Sequence, residues 1–122
     1  VAHDQVDKVS FTGSTRVGRE IGEVCGRAFR KHALELGGKC SAIVMDDADT
    51  EMAVAGLAAS AFGNAGQTCV AAAQVFVHRS IHDVLVSRLV EQAQARRAGG
   101  TFDDAANLGP IISGSQRDRV AG

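Results

Sequence analysis

Glu35, within Leu34-Glu35-Leu36-Gly37-Gly38-Lys39, and Cys69, closing Phe62-Gly63-Asn64-Ala65-Gly66-Gln67-Thr68-Cys69, stand 34 residues apart. A carboxylate and a thiol are a base and a nucleophile, the minimum set for making a thioester and hydrolysing it. A thiol attacks only as its thiolate, and a free cysteine ionises near about pH 8.5, so a reactive one sits where backbone dipoles or positive charge favour the anion. Cys69 follows a Gly-Gln-Thr turn between an apolar stretch and a β-branched one, where backbone N–H groups left out of secondary structure can face a developing oxyanion. The plainer reading of an unpaired cysteine is a small buried hydrophobe. For Glu35, a place between two leucines at a strand end predicts burial, which disfavours a charged carboxylate and makes it a stronger base. Strand alternation alone argues the other way and points Glu35 outward on an edge.

A third segment, Gly13-Ser14-Thr15-Arg16-Val17-Gly18, joins a strand-like stretch to a helical one. First-turn N–H groups and the helix dipole attract a phosphate at such a junction. The glycine spacing is Gly-x-x-x-x-Gly and not the Gly-x-Gly-x-x-Gly of dinucleotide loops, and a helix capped by Ser or Thr accounts for the same residues. Cys25 and Cys40 read as packing residues. His3, His32, His78 and His82 have no ligand spacing with the cysteines, and the Asp46-Asp47-Ala48-Asp49 run lacks the glycine and terminal glutamate of a calcium loop, so no metal is expected.

These groups need elements to hold them. Val6–Phe11 is rich enough in β-branched and aromatic residues for a strand. A helix follows, with Val17, Ile21, Val24, Cys25 and Ala28 on one face; its glycines Gly18, Gly22 and Gly26 weaken it, which points to close packing as their use. His32–Leu36 and Ser41–Met45 read as strands, and Asp49 as the N-cap of a helix from Thr50 to about Gly63, so apolar that most of its sides should be covered. Gln74–His78 is a further strand. Ser80 and Asp83 resemble a capping box opening a helix with Ile81, Val84, Leu85, Leu89 and Ala93 on one face, stopped by Gly99-Gly100. Thr101–Gly114 reads as a loop, with Ser113 or Ser115 opening a last helix. Strands alternating with helices in this way define an α/β class with a mostly parallel sheet.

The chain has 122 residues, 45% apolar and 22% charged, with a net charge of -1. That is one domain's worth of core, and it offers no electrostatic reason to expect nucleic acid or a membrane surface. No apolar run reaches the ~18 residues needed to cross a bilayer. Three cysteines without a pairing pattern point to a reducing, cytoplasmic setting. A first residue of Val rather than Met points to a piece of a longer chain.

The wording of these segments resembles the aldehyde dehydrogenase superfamily from about Val6 to Val120. The resemblance is carried by Phe-Thr-Gly-Ser-Thr-x-Val-Gly from Phe11 to Gly18, by Leu34–Lys39, and by Phe-x-x-x-Gly-Gln-x-Cys ending at Cys69. Leu108-Gly109-Pro110-Ile111-Ile112-Ser113, followed by Gln116-Arg117 and Arg119-Val120, adds to it. One departure stands out, since members usually carry Ser then Pro where this chain has Cys40-Ser41.

The resemblance implies the aldehyde dehydrogenase-like fold and oxidation of an aldehyde to a carboxylic acid with NAD or NADP. Cys69 would be the nucleophile and its backbone N–H part of the oxyanion hole, while Glu35 would activate the water that releases the acid. Gly13, Ser14, Thr15, Val17 and Gly18 would lie along the cofactor's pyrophosphate, and the Leu36 backbone near the nicotinamide amide. Residues 1–35 would end the cofactor-binding domain and residues 36–122 begin the catalytic domain. The family's oxyanion-hole asparagine, adenine-ribose lysine region, nicotinamide-ribose glutamate and oligomerisation strands are not in this span, and the parent enzyme would be a homodimer or homotetramer. Glu35 favours hydrolysis over the CoA-acylating branch, which typically lacks it. The alternatives are acyl transfer to CoA and a catalytically silent piece of the fold.

Overall fold

The computed structural model describes Val1–Gly122, which divide into two compact units at Gly38/Lys39. The first holds β1 (Lys8–Thr12), α1 (Thr15–Arg27) and β2 (Lys31–Glu35), with β1 and β2 parallel in a register from Lys8↔Lys31 to Thr12↔Glu35. A helix between two parallel neighbours is the βαβ arrangement that the alternation predicts. Ser14 caps α1, its hydroxyl accepting from the Val17 N–H at 3.4 Å. At the other end Phe29 takes the left-handed conformation (φ 52°) usually filled by glycine, with the Phe29 N–H bound to the Gly26 carbonyl and the Arg30 N–H to that of Cys25. This pair of bonds is the Schellman closure.

The buried face of α1 is Gly18, Ile21 and Cys25, narrower than expected, because Val24 and Ala28 fall on its exposed margin. Only one of the three helix glycines is used for close packing. A Cβ on Gly18 would lie 2.4 Å from Leu36 Cδ2 and 2.8 Å from its Cδ1, whereas one on Gly26 would meet nothing within 4 Å. Gly18→Ala is therefore expected to cost about 1–3 kcal/mol through overpacking, less the up to ~1 kcal/mol that alanine adds to helix propensity. Gly26→Ala is expected to be neutral or stabilising. Chemical denaturation of the two variants side by side checks the pair.

The second unit holds β3 (Cys40–Val44), α2 (Thr50–Phe62), β4 (Ala72–Val77), α3 (His82–Gln94) and α4 (Gly114–Ala121). β3 and β4 are parallel, with a register shift between Cys40 and Ser41. The parallel pairing expected from the sequence holds in both units, each as a two-stranded sheet. Val44, Val54, Leu57 and Leu85 form the core, flanked by Ala42, Val75, Ile81 and Leu89. Asp49 caps α2 through the Met52 N–H at 3.0 Å, and Ser113 caps α4 through Gln116.

Two expectations fail in this unit. The α2 helix is covered on one side only: Val54, Leu57 and Ala58 are buried, but Met52 is 74% exposed and nothing approaches Gly56. An apolar composition all round a helix does not say which side has a neighbour. The proposed capping box is absent as well. Ser80 bonds the His78 ring within a short 3-10 turn (Arg79–Ile81), and α3 begins after it with no side-chain cap. No helix is long and apolar enough to cross a membrane.

Candidate active site

In the first unit the carboxyl ends of both strands carry the residues singled out by sequence. Thr12 and Glu35 are the last register partners, and the Gly13 N–H donates to the Glu35 carbonyl at 3.0 Å, tying the Gly13–Ser14 junction to the end of β2. Carboxyl edges of parallel strands are where open α/β sheets bind ligands. The first turn of α1 contains no acidic residue and includes Arg16, itself in an exposed pair with Glu20 at 2.8 Å. Its leading N–H groups point out of the helix, and no carboxylate of the first turn opposes an anion there. Leu36 is half-buried, packed over the gap left by Gly18, and Gly37 approaches Thr15, whose Oγ1 would be 3.5 Å from a Cβ. Gly13, Ser14, Thr15, Val17, Gly18, Glu35 and Leu36 thus share one edge.

Glu35 itself is exposed, which corrects the expected burial. The edge pattern of β2, exposed at Lys31, His32, Ala33 and Glu35, outweighs the two flanking leucines because within this unit only α1 packs against the strand pair.

In the second unit the polypeptide leaves α2 through three successive residues with positive φ: Asn64 (51°), Ala65 (56°) and Gly66 (73°). Asparagine and glycine tolerate this region, but for alanine it costs roughly 1–2 kcal/mol. Side-chain bonds hold the strain. The Asn64 amide donates to the Gln67 carbonyl at 3.2 Å, and the Gln67 amide donates back to the Asn64 carbonyl at 3.0 Å. The other atom of the Gln67 side chain, Oε1, accepts from the Ile112 N–H at 2.9 Å. One glutamine therefore fastens the turn to a segment 45 residues onward. Ser60 at the end of α2 accepts from the Ala72 N–H at 2.9 Å, which anchors the far side of the turn.

Held in this way, Cys69 is exposed in the turn that precedes β4 and its backbone N–H makes no bond within the chain. It is not the small buried hydrophobe of the plainer reading; that description fits Cys25, which is 0% exposed. Cys40 departs from its expected packing role. Its thiol, at the amino end of β3, donates to the Cys69 carbonyl at 3.5 Å. An apolar cavity of about 440 Å³ opens behind the turn, with Phe62, Ala65, Gly66, Leu108 and Ile111 in its wall. Arg96 stands 5.9 Å from the centre of the Phe62 ring.

Sequence reasoning named Gln67 as part of a motif without a task, and gave Asn64 none. The signal was an amide on each side of two small residues, Ala65 and Gly66, a pattern that suits a turn needing left-handed backbone.

The family model described as "Aldehyde dehydrogenase family" matches residues 1–122. The mitochondrial aldehyde dehydrogenase of Leishmania tarentolae is 42% identical over 121 residues, covering 98% of this chain and 24% of that protein. Among solved structures, PnpE in complex with nicotinamide adenine dinucleotide superposes with a TM-score of 0.88 at 40% identity, over 98% of this chain and 24% of its own. An NADP dependent enzyme of E. coli gives a TM-score of 0.91 at 39% identity, over 98% and 25%. This chain belongs to the aldehyde dehydrogenase family, and spans about a quarter of the length of the relatives it matches.

Proposed function

We propose that the protein containing this chain oxidises an aldehyde to a carboxylic acid with NAD or NADP, with Cys69 as nucleophile and Glu35 as the base for deacylation. The observation that carries this reading is the Asn64–Gln67 clasp, which presents an exposed thiol beside a backbone N–H free to donate to an oxyanion. Cys69 attacks the aldehyde carbonyl to form a thiohemiacetal, and its N–H stabilises the oxygen that gains charge. Residues at the carboxyl edge of the first unit fit a dinucleotide: the N-cap Ser14 with Thr15 and Val17 of the first turn of α1 would hold the pyrophosphate, Gly13 and Gly18 would leave room along that edge, and the Leu36 backbone would lie on the nicotinamide side. A nicotinamide dinucleotide bound there would supply the acceptor for the hydride that the Cys69 thiohemiacetal gives up on becoming a thioester. Glu35 then takes a proton from water, whose oxygen attacks the thioester and releases acid and thiolate. The same reading makes residues 1–35 the end of the cofactor-binding domain and residues 36–122 the start of the catalytic domain. It gives the parent a cytoplasmic setting and a homodimeric or homotetrameric assembly.

The test is Glu35→Gln in the complete enzyme. A burst of reduced cofactor equal to the enzyme concentration is expected, followed by a steady rate lowered by about 10–100-fold, because acylation survives and deacylation does not. An unchanged steady rate removes Glu35 from the mechanism. Product formation that requires CoA moves the protein to the acylating branch instead.

The exposure of both Glu35 and Cys69 favours a second reading for residues 1–122 alone. With neither group shielded from water, low-dielectric stabilisation of charge is lost, so these residues by themselves should turn over no aldehyde with NAD or NADP.

A further inference from the structure

We propose that Cys40 is a resolving thiol for Cys69, so that a hydroperoxide converts the pair into a reversible disulfide. Of the three free cysteines, Cys25 is fully buried in the first unit, while Cys40 and Cys69 lie together in the second, half-buried and exposed. The Cys40 sulfur is 3.5 Å from the Cys69 carbonyl oxygen. That oxygen is two bonds from the Cα bearing the Cys69 side chain, which puts the Cys40 sulfur within about 6 Å of that Cα, a range from which rotation of the Cys69 side chain can swing its sulfur toward Cys40. Cys40 opens β3, and Cys69 lies in the turn, closed by the Ala71 N–H on the Thr68 carbonyl, that leads into the parallel strand β4, whose Ala72 is the register partner of Cys40. A thiol is a weak donor, so breaking its bond to the carbonyl costs little.

The chemistry balances with a hydroperoxide as the one outside reactant. The Cys69 thiolate attacks the peroxide oxygen; an S–O bond forms, the O–O bond breaks, and an alcohol or water leaves. The Cys40 thiolate then attacks the sulfenic sulfur of Cys69; an S–S bond forms, the S–O bond breaks, and hydroxide leaves as water after protonation. Two thiols lose two protons and two electrons to one peroxide. The disulfide masks Cys69 and protects it from irreversible sulfinic acid, and a dithiol restores it.

The linkage rests on geometry alone; that it switches an activity rests on the function proposed above. The sequence suits a direct test, since no Lys or Arg lies between Cys40 and Arg79, so one tryptic peptide carries both cysteines and excludes Cys25. After hydrogen peroxide, this peptide should lose two hydrogens, and cleavage before Asp46 should leave two pieces joined until dithiothreitol is added. Dimedone, which traps sulfenic acid, should label Cys69 weakly in the original protein and several-fold more in Cys40→Ser. Equal labelling in the two proteins, or Cys69 joined to Cys25 or to a second molecule, overturns the proposal. Because no aldehyde or dinucleotide enters the assay, its failure leaves aldehyde oxidation untested, and loss of aldehyde oxidation in Cys69→Ala leaves the linkage standing.

Discussion

Replacing Cys69 with alanine in the complete enzyme is expected to abolish aldehyde-dependent formation of NADH or NADPH, by more than about 10⁴-fold, without unfolding the protein. The two halves of this expectation have separate physical grounds. The side chain is exposed within the chain, so its removal leaves no cavity. The turn does not depend on the thiol either, because Asn64, Gln67, Ser60 and the Ile112 N–H hold it, and Cys40 bonds the Cys69 carbonyl rather than its sulfur. What alanine lacks is the group that forms the covalent intermediate, and a water molecule in its place is a far weaker nucleophile. Initial rates with a panel of aldehydes, together with circular dichroism of the variant, separate the two halves. A folded Cys69→Ala protein that keeps its rate would return Cys69 to a structural role.

Leu85→Ala should give the largest loss of stability in the second unit, about 2–5 kcal/mol, read as a fall in the urea midpoint of the chain. Leu85 is 1% exposed and joins Val44 of β3 with Val54 and Leu57 of α2, so it is where α3 meets both the sheet and the helix that leads to the Cys69 turn. Deleting three carbons there loses their transfer free energy and leaves a cavity that four packed elements cannot all close. Val84→Ala is the control on the same helix. Val84 is 57% exposed, and its loss should change stability by less than about 0.5 kcal/mol. Equal effects from the two substitutions would mean that α3 is not packed as described.

Much of the layout was legible because the signals act over a few residues. Ser14, Asp49 and Ser113 each cap a helix by bonding an N–H three residues on; the polar residue ahead of a helical pattern singles out Asp49, and narrows the other two caps to Ser14 or its neighbouring threonines and to Ser113 or Ser115. Alternation of strand and helix likewise implied parallel pairing, since a helix between neighbouring strands returns the chain to the same edge. Failures came where a signal had two meanings. Ser80 followed by Asp83 reads as a cap, but the nearer His78 ring takes the Ser80 hydroxyl first. The glycines of α1 looked alike, and only Gly18 has a neighbour at close range.

The sequence by itself determined the family, the types and order of the elements, and the identity of the chemical groups at Glu35, Cys69 and the Gly13–Gly18 junction. Such features depend on residue type and short spacing, which a linear chain states outright. Tertiary structure alone decided that Glu35 is exposed, that Gln67 bonds Ile112 across 45 residues, and that Cys40 reaches the Cys69 carbonyl across 29. Burial and long-range contact depend on which surfaces meet once the chain has closed, and no local periodicity encodes that distance. The thiol was written in the sequence; the clasp that presents it, and the second thiol beside it, exist only in the folded chain.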